Sequence, residues 1–342
     1  MGISRKAGIR MVIVIGASSF IGVYTVDALL EAGYDVLTTG RNPKFKEYFN
    51  KKGVQYLHLD ILNKEDIKML PKSDIEACIL FAGLLPANDD ADLSNTDHAK
   101  DYINVNVLGT INVLEYCRVN NISRVISTTS YADVYNYWDK KIEFTEETPR
   151  DFNMSGDHCG YIISKNAATD FLIYYNNQYK MKNIVFRLPP VYGVGPHGKL
   201  KENGVIRTSG IQTFIDNAKK GMPIYVYGDK EASRDIVYVK DVASAVVKAI
   251  KSNNAEGVFN IGSGNPVTLE EQAKVIADVF SKKKINIINC IEKDNHIKSY
   301  CMSIQKARDV FGYIPQYDSF ILIMKDWKME EERGVYTAIF NN

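Results

Sequence analysis

Between residues 11 and 130 the apolar positions fall into two alternating patterns. Short apolar runs at 12–15, 35–38, 54–57, 77–81 and 125–127 have the length and side chains of strands buried on both faces. Between them lie longer stretches with helical character, 21–32, closed by Gly33, and 100–119. Strand and helix alternating at this spacing predict an α/β fold, a doubly wound parallel sheet. After Arg187 the alternation loosens into a Pro/Gly-rich stretch, 189–198, followed by mixed elements. That region suits a smaller lobe closing over the end of the sheet. The expected division is 11–187 plus 235–264 for the main domain and 188–234 plus 265–342 for the smaller, discontinuous C-terminal lobe.

A chain of 342 residues, 45% hydrophobic and 24% charged, can bury a core of this size. A net charge of +1 leaves no electrostatic footprint for nucleic acid or an anionic membrane. An anionic ligand must therefore be held by local groups. The five cysteines (Cys78, Cys117, Cys159, Cys290, Cys301) are scattered with no CxxC pair, which points to reduced thiols and a cytoplasmic setting. The five histidines are scattered too, against a metal site. Residues 1–10 read as a basic, flexible leader, and the strand-like stretch after them is too short for a signal sequence or a membrane span.

The first strand runs into Gly16-Ala17-Ser18-Ser19-Phe20-Ile21-Gly22 and then a helix. Gly16 permits a tight turn and Gly22 a close helix–strand contact. The free N–H groups at the helix start can hold a pyrophosphate. Ser19 stands where the middle glycine is usual; it adds bulk but offers a hydroxyl. A generic turn would look similar, but the strand-before, helix-after context favours a dinucleotide. The second strand ends Thr39-Gly40-Arg41-Asn42, with glycine and arginine where NAD sites place an acid for the ribose 2′-hydroxyl. A guanidinium pairs with a 2′-phosphate, so the expected cofactor is NADP(H), with NAD(H) the alternative and a solvated Arg41 the plain reading. Asp60-Ile61 could meet the adenine, and Phe81-Ala82-Gly83 gives small residues where a cofactor backbone passes.

Tyr161 and Lys165 sit four residues apart in a helix-like stretch, hence on one face. A free phenol, with a pKa of about 10, is a poor base at neutral pH. A neighbouring ammonium and an oxidised nicotinamide would favour the phenolate. The pair could then move a sugar-hydroxyl proton while hydride is transferred.

With these residues in place, the chain resembles the extended short-chain dehydrogenase/reductase superfamily, specifically its NAD-dependent epimerase/dehydratase family acting on nucleotide sugars. The resemblance runs from Met11 to Pro315. Beyond the loop and the Tyr161/Lys165 pair it includes Asn106-Val107-Leu108-Gly109-Thr110, Val134-Tyr135, Val191-Tyr192-Gly193, Arg234-Asp235 and Asn260-Ile261-Gly262. It implies a Rossmann fold with a substrate-binding lobe. It implies Tyr161 as acid/base and Lys165 as the residue that orients the nicotinamide ribose. Asn106 would anchor the catalytic region, and Thr128, Pro189 and Val191 would border the cofactor. Arg234 would clamp the substrate diphosphate. Relatives pair as homodimers through two long helices, here 100–119 and 161–178.

There are departures. The family's hydroxyl residue three places before Val-Tyr falls on Tyr131, which leaves Ser130, Tyr131 or Asp133 to serve the reacting hydroxyl; Ser130 is the expected one, as catalytic and substrate-binding residue. The acid pair of dehydratases is missing, which disfavours dehydration. Pro190 replaces an asparagine, and 292–298 shows no clear substrate arginine. The resemblance implies a nucleotide-diphosphate-sugar C4 epimerase, with an NADPH-dependent 4-keto-sugar reductase as the alternative. A non-catalytic sensor ranks below both, since Tyr161 and Lys165 are both present.

Overall fold

In the computed structural model, which describes residues 11–86, 99–140, 143–156, 158–202, 205–293 and 297–341, seven strands make one wholly parallel sheet. They are β1 (Met11–Ile15), β2 (Asp35–Gly40), β3 (Gln55–His58), β4 (Ile75–Leu80), β5 (Val125–Ser130), β6 (Ile184–Leu188) and β7 (Gly257–Asn260). Their order is β7-β6-β5-β4-β1-β2-β3, a doubly wound sheet with β1 in its interior, between β4 and β2. The expected leader, 1–10, lies outside the described residues.

All five residues of β1 are buried, because successive side chains enter opposite layers. Val12 and Val14 join Ala77 and Ile79 in one core; Ile13 and Ile15 join Cys78 and Leu80 in the other. That two-sided burial is why the strand runs lack polar alternation. The helices around the sheet are α1 (Phe20–Glu31), α2 (Phe45–Lys51), α3 (Lys64–Lys68), α4 (Ala99–Tyr102), α5 (Gly109–Val119), α6 (Cys159–Tyr179), α7 (Gly210–Lys220) and α8 (Val239–Lys251). The first core takes side chains from α1 and α8, the second from α5 and α6.

The expected single helix over 100–119 is instead three pieces, with a π-helical stretch, Ile103–Leu108, between α4 and α5. The widened turn holds Asn106, 3% exposed, with its carbonyl taking the Thr110 hydroxyl at 2.6 Å. Apolar periodicity does not distinguish such an insertion from a plain α-helix, and π turns of this kind often accompany functional sites.

After β6 come short strand pairs: Val191–Tyr192 with Val237–Tyr238, and Ser233–Arg234 with Val267–Thr268. The later helices are α9 (Leu269–Phe280), α10 (Gln305–Phe311), α11 (Phe320–Arg333) and α12 (Val335–Asn341). Lys240 on α8 bridges Asp326 and Glu330 of α11, each at 2.7 Å, and the Tyr238 hydroxyl donates to Asp326 at 2.6 Å. This network ties α11 to the sheet side of the molecule.

Candidate active site

The strand order reverses between β1 and β4, and the crevice beyond their carboxyl ends is where open α/β sheets bind ligands. Phe81 and Ala82 both donate backbone N–H to the Ile15 carbonyl, at 2.8 and 3.0 Å, so the two strand ends are tied there. Gly16 turns with φ +86°, and a Cβ on it would stand 2.4 Å from the Ala82 nitrogen. A Cβ on Gly22 would stand 2.5 Å from the Gly16 carbonyl oxygen. Only glycine fits either place, because neighbouring backbone occupies the space a Cβ would need. The tight turn brings the start of α1 to the end of β1, where the N–H groups of a first helical turn suit a dinucleotide's phosphates. Ser19, in the place of the middle glycine, caps α1 by accepting from the Gly22 N–H at 3.1 Å. Phe20 and Ile21 continue the first turn of α1.

Arg41 is exposed on the turn after β2. Asp60 uses one carboxylate oxygen to accept from the Leu62 N–H at 2.9 Å, and the Ile61 carbonyl accepts from Asn112 at 2.9 Å. Both residues therefore order the turn after β3 that borders the crevice. Thr128 lies near the carboxyl end of β5, and Pro189 and Val191 follow β6.

Asn106 joins the end of β4 to α6. Its carbonyl oxygen accepts from the Leu84 N–H at 2.7 Å. Its amide donates to the Leu84 carbonyl at 3.1 Å and to Ser164 Oγ at 2.9 Å. Ser164 in turn donates to the Tyr161 carbonyl at 2.7 Å. The sequence singled out Asn106 as an anchor; Ser164, between Tyr161 and Lys165, completes the connection. Gly83 sits against this amide, 3.2 Å from the place of its Cβ.

Tyr161 and Lys165 share the first turns of α6. Burial pushes the Tyr161 phenol above its ordinary value, and the neighbouring phenols of Tyr102 and Tyr131 add to the effect. The Tyr102 ring meets it edge-on at 6.0 Å. Burial alone lowers the Lys165 ammonium to about 8. In this state the phenol is thus harder to ionise than free tyrosine, the reverse of the direction expected for the working pair, because burial dominates. Lowering it requires a further positive charge, which an oxidised nicotinamide would supply.

Ser130 spends its hydroxyl on the start of a 3₁₀ helix, Tyr131–Tyr137, accepting from the Ala132 N–H at 3.2 Å. Asp133 is 2% exposed and pairs with Arg187 at 3.2 Å, an arrangement that supports the fold under the site. Tyr131 instead stacks on Trp138 at 5.0 Å and leans on Tyr300. The Arg234 guanidinium lies 6.0 Å above Trp138, held by its Nε donating to the Lys298 carbonyl at 3.3 Å. Its charge eases ionisation of Tyr131, Tyr192 and Tyr300. This aromatic floor was not legible in the sequence beyond Tyr131, since Trp138 and Tyr300 lie far apart along the chain.

A parallel sheet with a glycine-tight turn at its switch point defines an α/β dinucleotide-binding enzyme. Comparison narrows that class. The NAD dependent epimerase/dehydratase family matches residues 12–262, and the chain belongs to it. A putative UDP-glucose 4-epimerase of Methanocaldococcus jannaschii is 30% identical over 317 residues, covering 90% of this chain and 94% of the relative. A dTDP-4-dehydro-6-deoxyglucose reductase of Escherichia coli is 25% identical over 288 residues, covering 82% and 84%. The structure of a Thermus thermophilus UDP-glucose 4-epimerase in complex with NAD aligns at a TM-score of 0.72 with 25% identity, over 95% of this chain and 99% of that one.

Proposed function

We propose that the chain is a nucleotide-diphosphate-sugar epimerase acting at the sugar C4, with NADP(H) as its dinucleotide. The observation that carries the reading is a half-buried phenol and a half-buried ammonium four residues apart on α6, tied to the dinucleotide crevice through Asn106 and Ser164. The bound dinucleotide supplies a hydride acceptor and donor. Tyr161 takes and returns the proton of the sugar hydroxyl, and Lys165 holds the nicotinamide ribose and favours the phenolate. Arg234 clamps the diphosphate with a planar, permanently charged fork. Tyr131 or Ser130 supplies the third hydroxyl at the reacting centre.

Gly40 and Arg41 favour NADP(H), and by the same observation a 4-keto-sugar reductase is the second reading. The main domain and smaller lobe divide at 187/188, 234/235 and 264/265. No helix among the described residues is long and apolar enough to cross a membrane. A cytoplasmic homodimer through the 100–119 segment and 161–178 of α6 fits the exposed Leu108, Ile163, Phe171 and Tyr174.

Tyr161→Phe tests the chemistry. On a panel of UDP-, dTDP-, GDP- and CDP-sugars and their 4-keto forms, turnover should fall by roughly two to four orders of magnitude with dinucleotide affinity unchanged. Near-wild-type turnover would refute the assignment. Net consumption of NADPH on a keto-sugar, with no epimerisation, would establish the second reading.

A further inference from the structure

Gly40 ends β2 at the place where an acidic reader of the ribose 2′-hydroxyl would stand. The place has no room for a side chain. A Cβ there would lie 2.5 Å from the Tyr56 hydroxyl oxygen and 2.7 Å from Ser18 Oγ, while the next atom of Tyr56, Cζ, is at 3.4 Å. The obstruction is therefore two hydroxyls and no part of the ring.

Those hydroxyls stand side by side. Tyr56, on β3 beside Thr38, is 6% exposed, and its ring stacks on Phe49 at 5.6 Å. Its hydroxyl donates to the Asn42 carbonyl at 2.8 Å. Ser18 Oγ stands beside the same phenol oxygen and eases an ionisation that burial opposes. These polar groups thus line the way from Ser18 in the phosphate loop, across the space above Gly40, to the residue next to Arg41. We infer that Tyr56 is a positioning residue for cofactor choice: its hydroxyl fills the space an acid at position 40 would need and fixes the turn that carries Arg41 toward a 2′-phosphate. The inference rests on the NADP(H) reading above.

Two consequences separate this from a merely structural tyrosine. Tyr56→Phe keeps the stack on Phe49 but frees Ser18 and Asn42, so selectivity should drop while NADH affinity stays. Gly40→Asp by itself should not create an NADH site, because the new Cβ meets the Tyr56 oxygen. With Tyr56→Phe added, the closest atom of residue 56 recedes to 3.4 Å from that Cβ and Ser18 is free to rotate, so both close contacts are relieved.

The experiment titrates NADPH and NADH into nucleotide-stripped protein, reading Kd from nicotinamide fluorescence for wild type, Tyr56→Phe, Gly40→Asp and the double variant, with circular dichroism to verify folding. Wild type should favour NADPH by roughly tenfold, the effect of one charge-assisted contact. Tyr56→Phe should lose most of that ratio through weaker NADPH binding. Gly40→Asp should bind both dinucleotides poorly or fail to fold, and the double variant should bind NADH better than it binds NADPH. A wild type that prefers NADH overturns the NADP(H) reading itself. A wild type that prefers NADPH, with the ratio intact in Tyr56→Phe or with Gly40→Asp binding NADH as well as the double variant does, overturns the role of Tyr56 and leaves the reading standing.

Discussion

Replacing Lys165 with methionine separates the demands of the fold from those of the chemistry. The ammonium lies in packed surroundings, and burial lowers it from the ordinary 10.5 to about 8. A cation whose pKa is depressed on folding holds its proton less tightly in the native chain than in the unfolded one. Its burial therefore costs stability fully below about pH 8, and the cost disappears as pH rises through 10.5, since stability climbs wherever the unfolded state binds more protons. Each pKa unit is worth about 1.4 kcal/mol, and the residue keeps some exposed surface, so the cost is about 2–3 kcal/mol at neutral pH. Methionine fills similar space without charge. Nucleotide-stripped Lys165→Met should thus unfold at higher urea than wild type at pH 7, and the gap should close between pH 8 and 10.5. Its dinucleotide affinity and turnover should fall, because the ribose contact and the pull on the phenol are both gone. A variant less stable than wild type at pH 7, or a gap that ignores pH, would refute the reasoning.

Two further variants distinguish the candidates near the reacting centre. Asp133→Ala leaves Arg187 charged and buried without its partner, a loss of about 3–5 kcal/mol; an inactive protein with an unchanged urea midpoint would instead make Asp133 the proton carrier. Ser130→Ala removes a 3₁₀ cap and should cost about 1 kcal/mol with little change in turnover, whereas Tyr131→Phe keeps the stack on Trp138 yet should lower kcat roughly tenfold at unchanged dinucleotide Kd. Turnover that collapses in Ser130→Ala and survives in Tyr131→Phe would reverse these roles.

The sheet was legible because a strand buried on both faces has to be apolar throughout, so β1 and β4 announce themselves without knowledge of their neighbours. Gly16 and Gly22 were legible for a related reason: where backbone meets backbone within 3 Å, only one residue type fits, and the constraint is written into a single letter. Gly40 shows the limit of that logic. Its sequence context says only that an acid is missing, whereas the reason no acid fits lies in Ser18 and Tyr56, each a commonplace residue on another element. The same holds around Arg234, whose setting is assembled from Trp138, Tyr131 and Tyr300 across more than 160 positions of chain. Backbone-imposed requirements are local and survive in one dimension. Requirements imposed by side chains on one another belong to the folded arrangement, and in this chain the features that bear on selectivity, the brace over Gly40 and the floor beneath Arg234, are of that second kind.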